Sequence, residues 1–241
     1  AVSLAAYFLV VHNGTAEALR ASSVYIIMAV IGEAMLLMGF ILMMAQAETF
    51  LIADMRDGLM DPGMDHGRRH LTVALLMIGF GIKAGLMPLH VWLPLAHPAA
   101  PVAASAVLSG AIVNAGLIGL IRFLPEGGTM AAALLLVLGL IGAYVGALLG
   151  VLQQRIKAVL AYSTVSQMGL ILAAVGAGLL TVGGRSAEVA GYYAVHHGLA
   201  KGALFLAVGW IPLLRGSARW LALGLVALLC ASVAGWPITG G

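Results

Sequence analysis

The sequence predicts an all-α fold, a polytopic transmembrane bundle with inverted repeats and broken helices, and three observations predict it. Of its 241 residues, 62% are apolar and only 9% charged, whereas a soluble chain of this size needs about a quarter of its residues charged to cover its surface. Apolar runs of the roughly 20 residues needed to cross a bilayer recur along the whole length. Glycine, with 32 residues, recurs at four-residue spacing and gathers beside prolines within apolar runs. The same composition excludes a soluble enzyme, a nucleic-acid binder and a disordered chain. The net charge of +3 is spread over short connections without a basic run, so it marks neither nucleic acid nor a polybasic lipid patch. Cys230 is the only cysteine and lies in an apolar run. That excludes a disulfide framework, a cysteine-ligated iron–sulfur cluster and a CxxC redox motif within this chain.

Taken in order, residues 1–11 are apolar but too short to cross, and they lack the basic start and small-residue cleavage site of a signal peptide. They read as a partial span, the end of a helix. A full span is predicted over 22–46. A polar loop follows over 47–69, because Glu48, Asp54, Arg56, Asp57, Asp61, Asp65, Arg68 and Arg69 crowd into it and must meet water. Six further spans are predicted over 70–93, 99–123, 129–153, 157–181, 188–213 and 218–239, giving seven full spans and a partial one. The last run closes on Trp236-Pro237-Ile238-Thr239-Gly240-Gly241, with no polar terminus after it. The expectation is one domain over 1–241, truncated at both ends. Lysine and arginine leave the orientation open: Arg20, Arg155, Lys157, Arg215 and Arg219 face Arg56, Arg68, Arg69, Arg122 and Arg185 across the membrane. Gly142, Gly146 and Gly150, and Gly198 with Gly202, are spaced to let helix backbones approach closely.

Three spans carry an ionisable residue near the middle: Glu33, Lys83 and Lys201. A charge at the bilayer centre opposes insertion by about 2.5–3.5 kcal/mol, so the three together cost about 8–10 kcal/mol. Interhelical pairing is one explanation; three at one depth point instead to a polar belt that serves a function. His197 lies one helical turn before Lys201 on the same face, with His196 about 100° round the helix. A histidine and a lysine so placed can exchange a proton through a water. Haem ligation fits poorly, since no two spans offer histidines at matching depth and His90 and His97 flank Pro94 near a span end. Around Lys83, the run Gly79-Phe80-Gly81-Ile82-Lys83-Ala84-Gly85-Leu86-Met87-Pro88 should interrupt the helix. Helices broken within the membrane commonly mark ion sites, because freed carbonyls face a wet cavity. A second break is predicted at Gly235-Trp236-Pro237, five spans on. Two breaks so related, at Pro88 and Pro237, are the trace of an internal repeat.

These residues also carry a family resemblance. Lys83-Ala84-Gly85-Leu86-Met87-Pro88-Leu89-His90-Val91-Trp92-Leu93-Pro94, Ala96-His97-Pro98-Ala99-Ala100-Pro101, Leu160-Ala161-Tyr162-Ser163-Thr164-Val165-Ser166-Gln167-Met168-Gly169 and His197-Gly198-Leu199-Ala200-Lys201-Gly202-Ala203-Leu204-Phe205-Leu206 resemble the signature of the proton-pumping antiporter-like subunits. Members include the large membrane subunits of respiratory complex I, Mrp-type sodium/proton antiporters, and the membrane arms of hydrogenase-4 and formate hydrogenlyase complexes. The stretch from Ala96 to Pro101 most resembles the hydrogenase branch. The resemblance spans essentially the whole chain. It implies a bundle of about fourteen helices, of which this chain holds the end of the fifth to the start of the twelfth. Lys83 falls on the central lysine of the broken seventh helix, His197 and Lys201 on the eleventh-helix relay, and Glu33 on an acidic position of the sixth. Asn114 stands where several members have a lysine, and Tyr193 where some have a histidine.

The function expected is that of a proton-translocating membrane subunit of a respiratory or hydrogenase-type redox complex. Protons would move through Glu33, Lys83, His197 and Lys201, while Asn114, Ser109, Tyr193 and His196 order the intervening waters. When a carboxylate beside Lys83 is neutralised, the lysine loses the charge that holds its proton. The chain itself is expected to carry no catalytic residues, cofactor or metal. Its expected partners are the lipid bilayer, other membrane subunits and a peripheral redox arm, in a bacterial or archaeal cell membrane. Two alternatives use the same residues differently: an Mrp-type sodium/proton antiporter subunit, and a structural membrane scaffold or inorganic-carbon uptake partner that conducts no proton.

Overall fold

The computed structural model describes residues 2–61, 63–127, 129–181 and 186–237. Arg185 and the closing Ile238 to Gly241 of the sequence motif lie outside them. The described residues form helices and connections, with no strand among them. The partial span becomes α1 (Val2–Val11), and the first full span becomes α2 (Ala16–Ala47). α2 starts six residues earlier than predicted because Thr15 caps it, accepting from the Ala18 N–H, and Glu17 in the first turn suits the positive end of the helix dipole. Its charged start stands at the aqueous end. The polar loop contains a short helix that its charge density concealed, α3 (Ile52–Met60), which buries Met55 and Leu59. Asp65 then caps α4 (His66–Ala84) by accepting from the Arg68 N–H at 2.9 Å.

The predicted span over 70–93 is not one helix. α4 stops at Ala84 because Gly85 takes a left-handed conformation (φ 75°), which satisfies the last carbonyls: Gly85 N–H donates to Ile82 and Leu86 N–H to Gly81. The chain turns and resumes as α5 (Trp92–Ala99). The next span is α6 (Val102–Val107), a π-helical turn (Leu108–Ile112) and α7 (Val113–Phe123) in one continuous stretch. α8 (Met130–Val151), α9 (Ile156–Leu179), α10 (Ser186–Trp210) and α11 (Gly216–Val233) complete the order. Six helical stretches are therefore long and apolar enough to cross a membrane among the described residues, against the seven predicted, and the difference is the broken one. After α11 the second break repeats the first bond for bond: Gly235 has φ 84°, its N–H donates to Ser232, and Trp236 N–H donates to Ala231. A proline follows each break, Pro88 three residues after Gly85 and Pro237 two residues after Gly235.

Glycines decide which helices touch. α8 and α9 lie backbone to backbone, since a Cβ on Gly139 would stand 2.6 Å from Ala173 N and one on Gly146 2.8 Å from Ser166 N. On α4, a Cβ on Gly79 would stand 2.7 Å from the Gly32 carbonyl, so α2 and α4 are drawn together one turn from Lys83. Gly198 meets the Gly110 carbonyl in the same way, seating α10 on the π-turn. Gly202, expected to act likewise, faces open space. At one end of the bundle Asn13 Nδ2 donates to Ala99 O at 2.9 Å and Arg155 pairs with Glu17 at 2.5 Å. At the other, Arg56 pairs with Glu126 at 3.0 Å and Gly127 N–H donates to Leu179 O.

Candidate functional site

Two groups of ionisable side chains stand out on the membrane helices, one at the side of the described bundle and one centred on a buried lysine. The first lies where α1, α2 and the end of α4 meet. Lys83 Nζ is 3.5 Å from Glu33 Oε1 and 3.4 Å from Ser3 Oγ, and Ser3 in turn donates to Glu33. The pair is positioned from the backbone up: Gly32 and Gly79 allow the approach, and Gly85 ends α4 two residues past Lys83. A small cavity beside it is lined by Ser3, Tyr25, Glu33, Lys83, Trp92 and Ile112. Glu33 lies on the outer side of the described helices, with its side chain 46% exposed against 21% for Lys83.

The second group centres on a fully buried lysine. Lys201 has no exposed surface and makes no ion pair among the described residues. Its ammonium is held by Ser163 Oγ at 2.6 Å and by the Leu160 carbonyl at 3.2 Å. The same carbonyl accepts from Thr164 Oγ1 at 3.0 Å, and Thr164 bonds Ser109 Oγ at 2.8 Å. A run of polar groups thus leads from Lys201 through Thr164 to Ser109 on the π-turn. Ile112, one turn from Ser109, borders the Lys83 cavity. An apolar stretch therefore separates the two groups at Ile112.

His197 is buried one turn before Lys201, and neither ring nitrogen has a partner. His196 Nε2 bonds Ser232 Oγ at 2.7 Å, tying α10 to α11. Tyr193 donates to Gln167, whose Nε2 reaches Val233 O at 3.0 Å. Asn114 Nδ2 donates to Gly110 O at 2.8 Å and Ala194 O at 3.3 Å, with Oδ1 buried and unpartnered. Of the residues singled out from the sequence, Glu33 pairs with Lys83, Ser109 is linked to Lys201 through Thr164, and His197 stands one turn before Lys201, whereas Asn114, Tyr193 and His196 bond to other groups on α10 and the helices packed against it. Ser3, Ser163, Thr164 and Gln167 bond to these residues, and sequence reasoning missed them. Hydroxyl and amide side chains are common on membrane helices, so only their alignment with Lys201 distinguishes them.

Such a fold with such a site defines a multi-pass integral membrane protein with titratable groups in its interior. The chain belongs to the NADH:quinone oxidoreductase/Mrp antiporter transmembrane family, whose sequence profile matches residues 1–239. It is 36% identical over 225 residues to hydrogenase-4 component B of Escherichia coli, covering 87% of this chain and 33% of that protein. The chain thus spans about a third of that relative's length. Its fold matches a subunit of the Mrp complex from Dietzia sp. DQ12-45-1b with a TM-score of 0.78 at 25% identity, over 92% of this chain and 43% of that one. A chain of an archaeal membrane-bound sulfane sulfur reductase matches with a TM-score of 0.79 at 24% identity, over 98% and 50%.

Proposed function

We propose that this chain is the proton-conducting part of a membrane subunit in a respiratory or hydrogenase-type redox complex. The observation that carries the reading is Lys201, wholly buried, without a carboxylate partner among the described residues, and joined to a run of hydroxyls. A lysine that served packing alone would be better replaced by an apolar side chain of similar volume. Lys201 can hold a proton on Ser163 and Leu160 and pass it to a water beside His197. Lys83 shares its proton with the Glu33–Ser3 pair, so a change in charge at Glu33 alters its hold on that proton. Water entering at Ile112 would connect the two clusters. Likeness to hydrogenase-4 component B supports a place beside other membrane subunits, and the proposed function adds a peripheral redox arm as a further partner. The lipid bilayer is its other partner, in a bacterial or archaeal cell membrane.

Proton flux in proteoliposomes holding the full-length protein in its complex tests this. Lys83→Ala and Lys201→Ala should each lower flux at least about tenfold, the scale on which a lost acid–base group acts, while the complex still assembles. Normal flux in both would remove the lysines from the mechanism. The Mrp-type reading, supported by the Mrp structural likeness, requires flux to depend on sodium; flux unchanged without sodium on either side excludes it.

A further inference from the structure

His97 takes no part in either cluster, yet it is fully buried on α5 and both of its ring nitrogens are without partners among the described residues. Its ring stacks on Phe205 at 4.7 Å between centroids, with the planes 21° apart. Phe205 is one turn beyond Lys201 on α10. Three residues after His97, the Ala100 carbonyl accepts from Lys157 Nζ at 2.5 Å. Lys157, at the start of α9, is half-buried and lies two residues from the exposed Arg155–Glu17 pair that marks one end of the bundle. α5 packs against α2 and α9, and its ring contact brings in α10. The charged groups whose fields reach His97 are Lys201 from α10 and Lys157 from α9. His97 thus stands between the buried Lys201 and the half-buried Lys157 beside the exposed Arg155–Glu17 pair.

A packing role does not account for this residue. Phenylalanine would stack on Phe205 equally well without leaving a buried donor and acceptor unsatisfied. An imidazole whose two nitrogens are both buried and unpartnered among the described residues, between a buried lysine and a face, is arranged to pass a proton from one nitrogen to the other through single waters.

Resting on the proton-conducting reading above, we propose that His97 and Lys157 form the branch through which Lys201 exchanges protons with the aqueous face that carries Arg155 and Glu17. In the direction away from Lys201, the ammonium gives up one N–H through a water, and an N–H forms on the near nitrogen of His97. The far nitrogen then releases its proton through a second water to the Lys157 amine, which passes it to solvent. One proton leaves Lys201 and one reaches water. No electron moves, and reversing the order loads Lys201 instead.

The test uses the full-length protein in its assembled complex, in proteoliposomes. His97→Gln and Lys157→Gln keep polar side chains that cannot relay a proton, and each should lower flux at least about tenfold. His97→Ala should be equally impaired, and added imidazole should restore its flux in proportion to concentration, a rescue that a packing role would not give. If His97→Gln does not assemble, Lys157→Gln, at a half-exposed site, decides alone. Normal flux in Lys157→Gln, or in an assembled His97→Gln, overturns the branch, as does an impaired His97→Ala without imidazole rescue. Lys201→Ala in the same preparations separates the two ideas. Lost flux there with normal flux in Lys157→Gln sinks the branch and leaves the proposed function standing, whereas normal flux in Lys201→Ala sinks that function.

Discussion

At Asn114, one amide group joins α7 to α10 by donating to Gly110 O and Ala194 O, and its own oxygen finds no protein partner. The ammonium of a lysine at this position can donate to the same two carbonyls. Asn114→Lys is therefore expected to assemble and keep proton flux within about threefold of the parent. Asn114→Ala should lower stability by about 1 kcal/mol through the lost interhelical bonds, read as the unfolding midpoint in detergent, with flux little changed. A misfolded Asn114→Lys would show that the groove beside it is dry, and the wet route between the clusters would have to avoid it. At this scale the sequence was legible where a charge interrupts an apolar run, which is why Glu33, Lys83 and Lys201 stand out in it. His97 was not, because a histidine among prolines at a span end is indistinguishable from one in a connection. Only the ring stacked on Phe205 and the two bare nitrogens reveal its setting.

The elements were legible wherever hydropathy alone decides, as in α8 and α9. They were not where a conformation decides. The end of α4 depends on a left-handed Gly85, and the start of α2 on a capping Thr15 beyond two charged residues. α3 was hidden because an interfacial helix alternates buried Met55 and Leu59 with acidic residues over too short a run to register as a span. Glycine spacing predicted close packing without showing which glycines achieve it. Gly79 supports a sharp expectation. A side chain there meets Leu36 and the Gly32 carbonyl, so Gly79→Val should push α4 from α2, cost about 1–3 kcal/mol by overpacking, and separate Lys83 from Glu33. Gly202→Ala, into open space, should leave the unfolding midpoint unchanged. Equal loss in the two variants would mean that the packing described for α2 and α4 is not what holds them.

Across the whole molecule, the matched breaks after α4 and α11 give the internal repeat a physical form: the same left-handed glycine and the same pair of closing hydrogen bonds, at Gly85 and Gly235. The sequence showed the repeat as glycine and proline alone, and the bonds that make the two breaks alike depend on φ angles no residue type dictates. The position of Lys201 has an electrical consequence. It stands nine residues before the end of α10 at Trp210, roughly 14 Å of helix rise in a hydrocarbon core about 30 Å thick. A proton on it has therefore crossed roughly half of any transmembrane voltage, worth about 1.1 kcal/mol per 100 mV, or about sixfold in occupancy. The voltage across the membrane would load or empty this lysine directly, before any partner subunit moves. Proton uptake in proteoliposomes clamped at two potentials about 100 mV apart should differ by about that factor in the parent and lose the difference in Lys201→Ala. On the proposed function, a membrane charged by the complex would act back on Lys201, which would sense the gradient it helps to build.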